Sequence, residues 1–254
     1  MTRIHTETYG KGRVLVLIHG WAMHTGVWRD FARQLGRYCQ VICVDLPGHG
    51  RSESVEPFSL ELICEALIKV LPIESFNLLG WSLGATVAMD MAERYPERVH
   101  SLIILAGNPL FVQTETWSGV KSETLDAFAE LLKLDVQQTL IRFLALQVNG
   151  LSHGRPLLQQ LRNALMEVPS PMQRVLQSGL EILKNTDKRA FIASTHLPVQ
   201  VILGNKDTLV PNGVGTALQQ LNPKIKPDIL EEAGHAPFLS HPEQMLVKII
   251  PMLR

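Results

Sequence analysis

The chain has 254 residues, 46% hydrophobic and 19% charged, which is ordinary globular usage and excludes a disordered or fibrous protein. Its 24 Lys and Arg balance 24 Asp and Glu, so no general attraction to nucleic acid or to an anionic membrane surface is expected. The N-terminal octapeptide is polar, no apolar run is long enough to cross a bilayer, and Cys39, Cys43 and Cys64 lack the spacing of a disulfide framework or zinc site. A cytoplasmic protein of one catalytic domain with buried thiols is therefore expected.

In chain order, β-branched runs at 14–18, 40–44, 76–79 and 99–105 alternate with amphipathic stretches at 26–37, 60–71 and 83–94. The apolar runs are continuous instead of alternating, which predicts strands covered on both faces, as in a mostly parallel, doubly wound α/β sheet. After Gly107-Asn108-Pro109 the strand pattern stops. Leu-rich segments at 122–133, 136–148, 156–167 and 171–184, punctuated by Gly150, Gly154, Pro156, Pro169 and Pro171, predict inserted helices over the carboxyl edge of the sheet. Strands resume at 199–203 and 228–230, with helices at 212–221 and 242–253. The expected division is a core of residues 1–109 and 190–254 and a helical cap of residues 110–189, inserted within the one domain.

Gly80-Trp81-Ser82-Leu83-Gly84 follows a predicted strand and opens a predicted helix, the context of a nucleophile elbow. The glycines give the turn room, and the serine hydroxyl is lifted above the sheet at a helix N-terminus. As a bare pentapeptide the motif is weak, since a chain of this length holds one by chance about one time in ten. Its place between strand and helix gives it force. His19-Gly20-Trp21, after the strand at 14–18, stands where this fold supplies an oxyanion donor. The backbone N–H groups of Trp21 and Leu83 are thus expected to stabilise a tetrahedral oxyanion.

A neutral serine needs a base, and the base needs a partner that fixes its tautomer. Asp207, in Gly204-Asn205-Lys206-Asp207 after one strand, and His235, in Gly234-His235 after the next, lie on loops at the carboxyl edge and take those roles. Glu231 and Glu232 sit too close to their strand to reach under His235, and the loop at 107–109 carries no carboxylate. His49, within Asp45-Leu46-Pro47-Gly48-His49-Gly50, is read as shaping a turn. No metal-ligand motif and no phosphate-binding glycine loop is present, so neither metal nor cofactor is expected. Together these features describe a serine hydrolase of the α/β-hydrolase fold.

Between Val136 and Gly179 the chain carries Arg142, Arg155, Arg162 and Arg174 against only Glu167. These are either solvated helix positions or a basic face for an acidic partner. Phe143, Leu144 and Leu146 are expected to face the sheet, where core packing and the lining of an acyl channel above Ser82 are compatible roles.

The segments His19-Gly20-Trp21, Gly80-Trp81-Ser82-Leu83-Gly84, Arg142-Phe143-Leu144-Ala145-Leu146-Gln147, Gly179-Leu180-Glu181-Ile182-Leu183 and His235-Ala236-Pro237-Phe238-Leu239-Ser240-His241-Pro242 together resemble the pimeloyl-acyl-carrier-protein methyl ester esterases of biotin synthesis. The first two and the final His-Ala-Pro-Phe are shared across α/β-hydrolases; the segment around Phe143 is the more specific. The resemblance implies a serine carboxylesterase that cleaves the methyl ester of pimeloyl-acyl-carrier protein and releases methanol. It also implies substrate contacts from Trp21, Ser82, Leu83, Phe143, Leu144, Ala145, Leu146, Gln147 and His235. Carrier-protein contacts would come from Arg142 and Arg155, with Arg162 in support, whereas Gln138 and Gln159 stand where further arginines are expected. A monomer is the expected state. The alternatives are a general short-chain carboxylesterase or thioesterase, and a ligand-binding protein on a hydrolase scaffold.

Overall fold

A computed structural model describes residues 2–72 and 74–253; Met1, where the polar N-terminal stretch begins, lies outside the described residues. Among the described residues seven strands form one sheet: β1 (Thr6–Tyr9), β2 (Val14–Ile18), β3 (Gln40–Val44), β4 (Phe76–Trp81), β5 (Val99–Leu105), β6 (Val199–Gly204) and β7 (Asp228–Leu230). Their spatial order is β1-β3-β2-β4-β5-β6-β7. Only β1 runs antiparallel to its neighbour, Thr6 facing Val44 and Tyr9 facing Val41. The four residues Leu15 to Ile18 of β2 and all of Leu78, Leu79 and Leu102 to Leu105 have no exposed surface, as strands covered on both faces require.

The helices between the strands are α1 (Arg29–Leu35), α2 (Leu60–Ile68) and α3 (Leu83–Arg94). Between β5 and β6 come α4 (Ser122–Leu134), α5 (Val136–Gln147), α6 (Gly154–Met166), α7 (Gln173–Asn185) and the short α8 (Arg189–Ser194); α9 (Gly213–Leu221), α10 (Pro237–Ser240) and α11 (Pro242–Ile249) follow. The two ends of the insertion meet: Lys188 N donates to Pro109 O at 2.7 Å, and Leu110 bridges Asp187.

The differences from the sequence reading have local causes. The stretch at 26–37 divides into a 3-10 turn, Thr25–Trp28, and α1; His24 caps that turn by accepting from Gly26 N. Helix α2 stops three residues early, and α7 starts at Gln173, clear of Pro171. The closing helix gives way to a 3-10 turn, Ile250–Leu253, because Pro251 has no N–H to continue it. Strand β1 escaped detection because a polar edge strand, Thr-Glu-Thr-Tyr, has no buried apolar run.

Candidate active site

The sharp turn after β4 is built by excluded volume. A Cβ at Gly80 would overlap Gly84 O and press to 2.6 Å from Ala85 Cα, and one at Gly84 would overlap the carbonyls of Ile18 and His19. Ser82 sits at the apex with φ 56° and ψ −118°, at the N-cap of α3, and its N–H is tied to Leu105 O at 3.0 Å. Four non-glycine residues among those described have positive φ: Ala22, Ser82, Ala106 and Glu232. Each lies within a few residues of Trp21, of the elbow, of the end of β5 or of His235, so the backbone strain is concentrated around one edge of the sheet.

Asp207 and His235, 28 residues apart in sequence, are brought together by the adjacency of β6 and β7. His235 Nδ1 lies 2.7 Å from Asp207 Oδ2. The other carboxylate oxygen accepts from Leu209 N at 2.8 Å and Val210 N at 3.0 Å, which fixes the plane of the carboxylate. A carboxylate can only accept, so Nδ1 carries the proton and Nε2 presents its lone pair. That Nε2 is buried and has no hydrogen-bond partner. Close packing there is made possible by Gly204, whose Cβ would overlap the carbonyls of Ala233 and Gly234.

The loop after β2 lies against the elbow: a Cβ at Gly20 would come to 3.2 Å from Ser82 Cβ. Leu83 is the first residue of α3, so its N–H has no intrahelical acceptor. Trp21 N donates to no backbone carbonyl among the described residues. The structure therefore brings Ser82, Asp207, His235, Trp21 and Leu83 to one edge of the sheet. Ser82 is 2% exposed and His235 0%, so both side chains are withdrawn from solvent.

Helix α5 separates the predicted substrate contacts. Phe143, Leu144 and Gln147 are buried and Leu146 is half-buried, but Ala145 is exposed. At 100° per residue a helix cannot turn five consecutive side chains to one cavity, and Ala145 lies on the outer face. Phe143 packs edge-on to Trp21, ring centres 4.8 Å apart, and to Phe128 at 5.8 Å.

Sequence reasoning missed the polar ties between the insertion and the site. Gln147 O accepts from His235 N at 3.1 Å, and Leu146 O from Thr208 Oγ1 at 3.1 Å. Trp21 Nε1 donates to Leu176 O of the insertion at 2.8 Å, while within the core Trp81 Nε1 donates to His235 O at 2.7 Å. Backbone acceptors leave no trace in side-chain patterns. The one available signal was Gly179, a glycine inside a predicted helix, which marks a close approach; here it faces the Trp21 indole.

Arg142, Arg155 and Arg162 are all exposed. Among the described residues none has an acidic partner within ion-pair distance, whereas Arg174 pairs with Glu56 at 3.5 Å. Glu167, the single acid of that stretch, is held by Arg29 at 2.5 Å and Arg51 at 3.2 Å. Gln138 accepts from Arg142 Nη2 at 3.3 Å, and Gln159 donates to Asn163 at 2.7 Å.

His19 and His49 are also fully buried, and His49 Nε2 has no hydrogen-bond partner. Leu46 N donates to His19 Nε2 at 3.0 Å, and His49 Nδ1 lies 3.0 Å from Pro47 O within the turn after β3. Burial pushes both imidazoles down to about 3. Among the described residues no three His, Cys, Asp or Glu side chains come together as metal ligands would.

The family pattern described as the alpha/beta hydrolase fold matches residues 13–242. The chain is 40% identical to a pimeloyl-[acyl-carrier protein] methyl ester esterase of Aeromonas salmonicida over 245 residues, 96% of each chain. It is 40% identical to the protein of the same name from Nitrosomonas europaea over 247 residues, 97% of this chain and 98% of that one. An esterase from Exiguobacterium antarcticum superposes with a TM-score of 0.89 at 22% identity over 99% of this chain and 96% of the other. A bromoperoxidase from Bacillus anthracis does so with the same score at 18% identity, covering 99% and 95%; this likeness is one of fold alone.

Proposed function

Since the chain belongs to the α/β-hydrolase family and, within it, to the pimeloyl-[acyl-carrier protein] methyl ester esterases, we propose that it hydrolyses the methyl ester of pimeloyl-acyl-carrier protein in biotin synthesis, yielding methanol and pimeloyl-acyl-carrier protein. The observation that carries the reading is the buried Asp207–His235 pair, with its unpartnered Nε2, on the same sheet edge as a strained serine at a helix N-terminus.

Ser82 Oγ attacks the ester carbonyl while His235 Nε2 takes its proton. Asp207 stabilises the imidazolium and keeps the correct tautomer. The N–H groups of Trp21 and Leu83 receive the charge that forms on the carbonyl oxygen, the kind of contact whose removal costs about 100-fold or more in rate. Collapse breaks the bond to methoxide, which leaves as methanol with the proton from His235. Water, deprotonated by the same histidine, then releases the pimeloyl acid from Ser82. Neither step needs a metal or cofactor.

Residues 110–189 act as a cap over this chemistry. Phe143, Leu144, Leu146 and Gln147 line the acyl path, and the unpaired Arg142, Arg155 and Arg162 offer an acidic carrier protein a surface with no internal acid competing for them. The enzyme works in the cytoplasm as a monomer; no described helix is long and apolar enough to cross a membrane.

Two measurements test this reading. A fluorophosphonate should label the wild-type protein and not Ser82→Ala. Hydrolysis of the carrier-bound ester should weaken as salt rises while hydrolysis of p-nitrophenyl acetate does not. Labelling that survives in Ser82→Ala removes the proposed nucleophile, and equal salt response for the two substrates removes the basic face from the mechanism.

A further inference from the structure

Trp21 has two attachments that point in opposite directions. Its backbone belongs to the loop that lies against Ser82, and its buried side chain reaches into the insertion. The indole Nε1 donates to Leu176 O of α7 at 2.8 Å, a helix that belongs to the insertion and not to the sheet. The ring is 1% exposed and packs edge-on against Phe143 of α5. Gly179, one turn after Leu176, leaves the space the indole occupies: a Cβ there would stand 2.8 Å from Trp21 Cδ1 and 3.1 Å from Nε1. The next residue, Ala22, has φ 65°, a conformation an alanine keeps only when its surroundings impose it.

From these contacts we infer that the Trp21 side chain is a positioning residue which ties the oxyanion-binding loop to α7, so that the hole is correctly formed only while the cap is seated. This rests on the proposed role of the Trp21 N–H. The loop is anchored to the sheet through β2, but the indole bond is directional and buried, and it fixes the residue whose own amide faces the reacting carbonyl. A buried donor that loses its acceptor must either stay unsatisfied or move the loop.

On the opposite side of Ser82 the same cap holds the base. His235 N donates to Gln147 O at the end of α5, and Thr208, next to Asp207, reaches Leu146 O. The cap thus grips both halves of the machinery by backbone carbonyls. These contacts make the geometry of both halves depend on how the insertion is seated.

The test uses p-nitrophenyl acetate, which needs no carrier protein, and rates expressed per active site titrated by organophosphonate. Trp21→Phe keeps a six-membered aromatic ring but removes the pyrrole ring with its N–H donor; Gly179→Ala keeps the donor and pushes on the indole. Both should lower kcat per titrated site, by about tenfold in Trp21→Phe, with KM changed less than twofold, and the rate of phosphonate inactivation should fall in parallel because that reaction places charge in the same hole. Unchanged kcat per titrated site in both variants overturns the inference, even if thermal stability or the active fraction drops, since those losses report folding alone. Ser82→Ala run alongside separates the two claims: activity that persists there defeats the proposed mechanism itself, whereas activity lost there but retained in Trp21→Phe defeats only the tie to α7.

Discussion

The sheet edge and the helical insertion meet at one site but are held in different ways. On the sheet side, Ser82, Asp207 and His235 rise from strands whose buried residues have almost no exposed surface, and every turn is cut to size by a glycine or a carboxylate. On the insertion side, the helices bury a stripe and leave the rest wet: α6 fully buries only Leu161 and Leu165 of its 13 residues. Its far end is fastened by polar contacts, Glu167 with Arg29 and Arg51, and Ala164 O with His24 Nε2 at 2.6 Å. On the proposed function, this difference would place the chemistry on the more deeply buried part of the molecule and substrate selection on the part that keeps more surface in water.

Breaking the sheet side should therefore cost the most. Ser82→Ala and Asp207→Asn should each reduce kcat by roughly 10⁴-fold or more, the second through the wrong imidazole tautomer, with circular dichroism and Tm close to wild type. Retention of a tenth of the activity in either variant would mean that a different group performs the chemistry.

The two regions should also differ in stability. Leu17→Ala, in β2 and without exposed surface, should lose about 3 kcal/mol in urea unfolding, while Leu146→Ala, half-buried on α5, should lose about 1 kcal/mol or less. Equal losses would erase the distinction between a rigid base and a lighter cap.

Acid should act on the sheet side first. His19 and His49 are neutral in the fold, burial having brought both down to about 3 from an ordinary 6.5. The unfolded chain takes up their protons below pH 6.5 and the folded chain does not, so the stability they allow is complete above that pH and drains away as pH falls towards 3. At pH 5 this amounts to about 2 kcal/mol for each residue. Glu7 adds a lower window: burial alone would raise it, but hydrogen bonds from Arg29 and Tyr9 win and hold it at about 2, so its contribution is lost between pH 4.5 and 2. Urea midpoints at pH 7 and 5 should separate widely for wild type and less for His49→Gln; an identical pH response would exclude His49 as a source.

The smallest effect belongs to the cap surface. Arg142→Ala/Arg155→Ala should weaken use of the carrier-bound ester by about tenfold at low salt and leave p-nitrophenyl acetate untouched. A matching loss on both substrates would show that these arginines support the fold and not the partner.

The strand-end residues were legible because each sits where an apolar run stops: Ser82 after 76–79, Asp207 after 199–203, His235 after 228–230. Even there the boundary moved, since β4 continues through Trp81 to the elbow itself. The helices between β5 and β6 showed in their leucine spacing, but which carbonyl of α5 would receive His235, or that the α7 backbone would meet an indole 155 positions away, depends on how helices cross and not on residue type. Ala145 illustrates the limit: a five-residue motif reads as one contact in sequence, and the helix splits it into inner and outer faces.

The most direct test of the account is the identity of the products when the purified enzyme meets pimeloyl-acyl-carrier protein methyl ester. Mass spectrometry of the carrier should show loss of a single methylene, methyl ester to acid, with the acyl group still attached and methanol formed in equal amount. A carrier stripped of its whole acyl group would make the enzyme a thioesterase and contradict the central claim.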